Sequence, residues 1–413
     1  MPASWTTEVT LTLPPRPTRA ARTARLLGGA LAISLTAAAC SSSSGTTDSA
    51  VAPAPAGDAS STTSTTPAVA TYPGRDWATQ AAAAAGFDKA QLAAIAAKAK
   101  AGASDCLVVT RKGKIVDEHY WRTANRDRAQ EVWSATKSYT STLVGIAQDR
   151  GKLKVTDKAS RYIPQWKGTK SAGVTIKDLL SNDSGRHWDV KTDYTDMALG
   201  AKDKTAFSIA LGQDAAPGKV WAYNNSAIQT LSAVIKKATG MDASAYAAKK
   251  LLAPIGMAHS VLKKDASGGS LTFMGLSSTC RDMARYGYLM LHQGAWNGKQ
   301  IVSKAWVDEA TGHSSQKLNA AYGYLWWLNR KGPITGPLRP STGQAGGDQK
   351  VGQLVPGAPA DLYFAIGFGN QIIMIDPTSE TVVVRMGPAR APAGSTPFTP
   401  QVAATVVTKA LRK

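Results

Sequence analysis

The chain has 413 residues, 43% of them hydrophobic and 18% charged, with a formal net charge of +20 at pH 7. That apolar content builds a large core and excludes a disordered or low-complexity protein over most of the length. The basic balance invites a nucleic-acid reading, but no basic run alternates with aromatic residues, so nucleic acid is set aside as a partner.

Residues 1–39 read as a secretory signal: Arg16, Arg19, Arg22 and Arg25 precede the apolar run LLGGALAISLTAAAC with no acidic residue between them. The run is too short to span a bilayer and ends in small residues before Cys40, as a bacterial lipobox does. Cys40 is therefore a candidate for a lipid anchor, which would hold a secreted protein on the outer side of the cytoplasmic membrane. Ala37 stands where the strongest lipoboxes carry Leu, so an ordinary signal peptide cut near Ala39 is the alternative. Removing residues 1–39 takes away four arginines and Glu8, and the net charge falls by 3 to +17. Anionic cell-wall polymers are the partners such a surface attracts, set against a solvated basic surface with no specific partner.

Residues 40–75 are Ser, Thr, Pro, Ala and Gly with almost no large apolar side chain, the composition of a flexible tether. The next stretch, DWATQAAAAAGFDKAQLAAIAAKAKAG, is expected to be Ala-rich helix broken near Gly86, with Asp88 capping the second piece. CLVVTRKGKIVDEHYW has two β-rich runs around Lys112-Gly113 and is expected to form a hairpin. From about 152 to 312 the apolar spacing turns helical, in TIKDLLSNDSG, AIQTLSAVIKKATG and TCRDMARYGYLMLHQG. Strands return in DLYFAIGF, QIIMIDP and TVVVRMG, and PQVAATVVTKALRK closes the described pattern as a helix. Strands at both ends and helices between predict an α+β fold: one sheet assembled from the two ends of the chain, flanked by terminal helices, with a helical region inserted.

Cys106 and Cys280 are open between a disulfide and two buried free thiols. His119, His187, His259, His292 and His313 are scattered, no cluster has metal-ligand spacing, and no metal or other cofactor is expected.

The stretch EVWSATKSYTSTLVGIAQDRGKL, residues 131–153, carries the chemistry. Positions three apart lie on one helix face, so Ser134 and Lys137 can touch. A serine hydroxyl attacks at neutral pH only when a base takes its proton, and lysine is such a base only where burial or a neighbouring cation lowers its pKa. The alternative is a capping Ser134 and a Lys137 pointing to water. A second feature is GKVWAYNNSAIQTL, where the Tyr223 phenol can shuttle a proton and Asn225 can hydrogen-bond substrate and lysine together. A third is YFAIGFGNQIIMIDP, where Gly367 and Gly369 would let a substrate lie along a strand edge, with the Phe368 N–H as an oxyanion donor.

In this order, Ser134-Ala135-Thr136-Lys137, Tyr223-Asn224-Asn225 and the glycine-bearing strand at 365–369 resemble the serine β-lactamase and DD-peptidase superfamily. The likeness is closest to the class C-like branch that includes esterases and 6-aminohexanoate-dimer hydrolases. It covers roughly residues 77–412, so residues 76–413 are expected to form one serine hydrolase domain. The resemblance implies that Ser134 forms an acyl-enzyme, that Lys137 and Tyr223 share the proton work, that Asn225 orients the acyl side chain or Lys137, and that the N–H groups of Ser134 and Phe368 bind the oxyanion. Which of Lys137 and Tyr223 is the acylation base stays open.

The sequence departs from the family at Ala365-Ile366-Gly367, where β-lactamases and DD-peptidases carry a cation at the first position. That cation would meet a substrate carboxylate, and such a bond contributes roughly 1.5–3 kcal/mol. An exported hydrolase of small uncharged esters or amides is the first reading. A cell-wall DD-peptidase or weak β-lactamase is the second, and a catalytically silent penicillin- or wall-binding module the third. Trp188, Trp221, Trp326 and Trp327 are candidates to border the cleft.

Overall fold

The computed structural model describes residues 71–74, 76–342 and 350–412. The expected signal peptide, Cys40 and nearly all of the linker lie outside them. A hairpin begins the sheet: β1 (Cys106–Arg111) and β2 (Lys114–Tyr120) turn at Lys112 and Gly113, with φ of 49° and 77°. Two successive left-handed residues match the twist of the flanking strands. The late β-rich runs form β4 (Tyr363–Gly367), β5 (Gln371–Asp376) and β6 (Thr381–Met386), joined at one edge by β3 (Trp327–Leu328). The order is β2-β1-β6-β5-β4-β3, antiparallel throughout. Val108 faces Val384, and Val384 faces Ile373, so the two ends of the chain share one apolar ladder.

Four helices set this sheet in place. Helix α1 (Lys89–Ala101) is capped by Asp88, whose carboxylate accepts from Ala90 N and Gln91 N. Helix α2 (Thr136–Asp149) is buried over its first three turns and touches β4. Helix α3 (Cys280–Leu291) lies on β1, β5 and β6, close enough that a Cβ at Gly287 would collide with Val382 and Ile373. Helix α4 (Pro400–Thr405), continued by a wider turn to Ala410, packs on α1 and β5. Cys106 and Cys280 form a disulfide with Cα atoms 6.6 Å apart, tying the first residue of β1 to the first residue of α3.

Two expectations are corrected. Residues 76–85 are not helical. Gln80 N donates to Ile115 O and Ile115 N to Ala78 O, so this run pairs with β2, and only a turn remains before Gly86. A few alanines cannot meet the nucleation cost of a helix when a strand edge offers the backbone bonds first. The helical span 152–312 is also not one inserted body, because α3 falls inside it yet covers the sheet. The inserted part proper holds the short helices Ile176–Ser181, Lys204–Ala210, Asn225–Gln229, Leu231–Thr239 and Ala243–Ala247, and a π-helical stretch Lys191–Gly200. No helix among the described residues is long and apolar enough to cross a membrane.

Candidate active site

Ser134 sits in a single 3₁₀ turn, Trp133–Ala135, that leads into α2. Trp133 has φ of 51°, a left-handed conformation that costs a bulky residue about 1–3 kcal/mol. Val132 N bonded to Leu276 O, and the Trp133 ring set edge-on to Phe368 at 5.7 Å, hold it there. The turn leaves Ser134 half-buried while Ala135, Thr136 and Lys137 are enclosed.

Lys137 is 1% exposed, and its Nζ lies 2.9 Å from Ser134 Oγ and 2.9 Å from the Phe273 carbonyl oxygen. The carbonyl takes one amine hydrogen and thereby aims the nitrogen at the serine. Burial pulls the ammonium down to about 7, against the opposing charge of Asp193. At neutral pH much of Lys137 is therefore a free amine whose lone pair can accept the serine proton.

Tyr223 stands on the other side of the amine, with its ring centroid 4.6 Å from Nζ. Burial pushes its phenol well above the usual tyrosine value, and hydrogen bonding with Ser134 offsets part of this. Its segment is pinned at both ends: Trp221 and Ser341 exchange two 2.8 Å backbone bonds, Ala222 N donates to Asn182 O, and Trp188 Nε1 donates to the Tyr223 carbonyl. Its ring stacks on Trp327 at 5.6 Å and meets Tyr322 edge-on at 6.0 Å. Trp188, Trp221 and Trp327 thus frame the tyrosine. Trp326 does not: it is fully buried, stacked on Tyr286 and set edge-on against Tyr363 in the core.

Asn225 begins the helix that follows, but its Nδ2 donates to Asp193 Oδ2 at 2.7 Å rather than reaching toward Lys137. The two glycines also differ from expectation. A Cβ on Gly367 would strike the Val132 carbonyl and Ala135 N, so its bareness admits the nucleophile turn, not a substrate. Gly369 has φ of 76° and makes room for Pro388 and Ala389 in the β4–β5 turn. Phe368, between them, is 47% exposed and sits at the mouth beside Trp133. Ala365 is wholly buried within β4.

Asp193 and the Phe273 carbonyl are the parts that sequence reading missed. The aspartate lies in an acid-rich run, DVKTDYTD, with no letter to distinguish it; the carbonyl has no side-chain signal at all. A separate cavity of ≈ 870 Å³ opens between residues 165–171, 203–213 and 232–236, but Ser134, Lys137 and Tyr223 do not line it. Its buried Arg186 donates to Ser171, Ser208 and Ile209 oxygens and stacks over Trp166. Among the described residues no group of three or more His, Cys, Asp or Glu side chains could hold a metal ion.

A serine hydroxyl against a desolvated lysine and a buried tyrosine, beneath an antiparallel sheet, defines a serine hydrolase of β-lactamase fold. The β-lactamase family model matches residues 87–404, and the chain belongs to that family. It is 23% identical over 317 residues to the 6-aminohexanoate-dimer hydrolase of Paenarthrobacter ureafaciens, covering 68% of this chain and 72% of that protein. Penicillin-binding protein 4* of Bacillus subtilis is 28% identical over 141 residues, 31% of this chain and 29% of that one. A Bacillus anthracis structure assigned as a 6-aminohexanoate-dimer hydrolase superposes with a TM-score of 0.59 at 20% identity, covering 75% of this chain and 78% of that one, a likeness of fold.

Proposed function

We propose that the protein is an exported serine hydrolase that cleaves a small, uncharged ester or linear amide through an acyl-enzyme on Ser134. The observation that carries this reading is the 2.9 Å approach of a buried Lys137 amine to the Ser134 hydroxyl. The neutral amine takes the hydroxyl proton as Oγ bonds to the substrate carbonyl carbon. The N–H groups of Ser134 and Phe368 receive the oxyanion. As the tetrahedral species collapses, the proton passes from Lys137 through the Tyr223 phenol to the departing alkoxide or amine. Water then attacks the acyl-enzyme with the same pair working in reverse, and Ser134 regains its proton. The directions of the two pKa shifts favour Lys137 as first base, since the Tyr223 phenol keeps its proton and acts as relay.

An uncharged substrate is supported by Ala365 itself, which stands at the strand position where relatives carry the cation that would meet a carboxylate. Export is supported by the Cys106–Cys280 disulfide, which persists in oxidising compartments, and by the signal-like first 39 residues with Cys40 as the anchor point. The short match to a penicillin-binding protein keeps a DD-peptidase or weak β-lactamase as the second reading. Nitrophenyl ester and linear amide turnover, measured beside acylation by a fluorescent penicillin, separates them: faster penicillin capture than ester turnover would refute the first. Failure of a fluorophosphonate to label Ser134 in folded protein would remove both and leave a silent binding module.

A further inference from the structure

We propose that Asp193 is the positioning residue of this site: its carboxylate fixes which way the Asn225 amide faces and holds the segment from which Tyr223 meets Lys137. The inference rests on the acyl-enzyme reading above and deepens it.

Asp193 is 1% exposed and lies in the π-helical stretch Lys191–Gly200, a wide turn of the kind that recurs at functional sites. Four donors converge on it. Oδ1 accepts from Ser226 N at 2.7 Å and Ser226 Oγ at 2.8 Å. Oδ2 accepts from Asn225 N at 3.1 Å and Asn225 Nδ2 at 2.7 Å. Three of these groups can only donate, so the ionised carboxylate is the form that satisfies them. Burial raises the carboxyl above its usual range, and the four donors, which favour the ionised form, offset only part of that rise.

Two consequences follow from that geometry. An amide has a donating end and an accepting end, and an ionised carboxylate tolerates only the donating one. Asp193 therefore fixes Nδ2 inward and leaves Oδ1 of Asn225 as the end turned to other donors, while the Tyr194 phenol next to Asp193 donates to the Pro337 carbonyl. The same carboxylate binds the first two N–H groups of the helix Asn225–Gln229, so it also sets where Tyr223, two residues earlier, emerges.

The second consequence concerns charge. Lys137 is faced by Ser134 from its own turn, by the Tyr223 phenol, and by the Phe273 carbonyl and ring. The charge that opposes the fall of its ammonium is that of the Asp193 carboxylate. When Lys137 takes the serine proton it becomes an ammonium in a dry pocket, and Asp193 is the charge that stabilises it there. Asp193 is itself faced by Tyr194, Tyr223, Asn225 and Ser226.

The test compares wild type, D193N and the exchange variant D193N/N225D, reading melting temperature, fluorophosphonate labelling of Ser134, and the pH profile of ester kcat/KM. The expected result for D193N is kcat/KM lowered about ten- to a hundredfold, mainly in kcat, with the acid limb moved to lower pH because Lys137 holds its proton less tightly. The exchange restores a donor–acceptor pair at the same place, so it is expected to recover melting temperature without recovering turnover. A D193N enzyme that melts lower yet keeps the wild-type pH profile, or an exchange variant that regains full turnover, overturns the proposal and leaves Asp193 as a helix cap. If neither variant folds, the carboxyl ¹³C shift of Asp193 in wild type decides: ionised across neutral pH supports the proposal, protonated overturns it. Absence of labelling in wild type would instead strike the acyl-enzyme reading itself.

Discussion

Lys137 is a base only because it is dry. Its ammonium is the form that burial disfavours, so the amine is lost as pH falls through about 7 and gained above it. The ester kcat/KM is accordingly expected to bend near that pH and to fall about tenfold per unit on the acid side, readable in a stopped-flow pH series. An acid limb near the ordinary lysine value instead would mean that the amine is solvated. Tyr223→Phe keeps the stacking on Trp327 and removes only the relay, so kcat is expected to drop about a hundred- to ten-thousandfold while the fluorophosphonate still marks Ser134. The Ser134–Lys137 contact was legible beforehand, because a spacing of three along a helical turn brings two side chains together whatever the tertiary fold. Asp193 was not, since whether an aspartate is buried depends on which element later covers it. Asn225 was half legible: its place beside the tyrosine is written in the motif, its partner is not.

At the level of elements, the nucleophile turn and β4 are one device. Trp133 is held in a left-handed conformation, and Gly367 gives up its side chain so that the strand can run against the Val132 carbonyl. Gly367→Ala is expected to displace the turn; a shift on the order of an ångström from productive geometry lowers rates about a hundredfold. Labelling kinetics of Ser134, set beside an unchanged circular dichroism spectrum, check this, and unaltered kinetics would mean that the turn adapts freely. The sequence marked both glycines as special, but a missing side chain looks the same whether substrate or backbone fills the space. The late strands were legible from their β-branched runs, as was the hairpin from Lys112-Gly113. The alanine run before Gly86 misled, because propensity yields where an unpaired strand edge lies within reach.

For the whole molecule, the Cys106–Cys280 bond closes 174 residues of chain and joins the sheet to the helix that covers it. Restricting so long a loop in the unfolded state is worth at most about 5 kcal/mol. Cys106→Ser is expected to lower the melting temperature by several degrees without moving the pH profile, since the bond joins β1 to α3 and neither element carries Ser134, Lys137 or Tyr223; a changed profile would indicate strain passed to the site. Two cysteines in one chain could not announce their pairing, because the proximity that makes it possible exists only after the sheet forms. The sheet itself was foreseeable from strands at both ends, whereas α3 was assigned to the wrong layer, as an amphipathic helix does not say which apolar surface it will meet.

The pairing of β1 with β6 fixes an order of events during synthesis. The hairpin at 106–120 leaves the ribosome long before residues 381–386 exist, and until they arrive its inner edge has no neighbour. Such distant pairing slows folding. A chain stopped short of Thr381 would carry the Ser134 turn and Lys137 but lack β6, the strand that joins the early hairpin to β5.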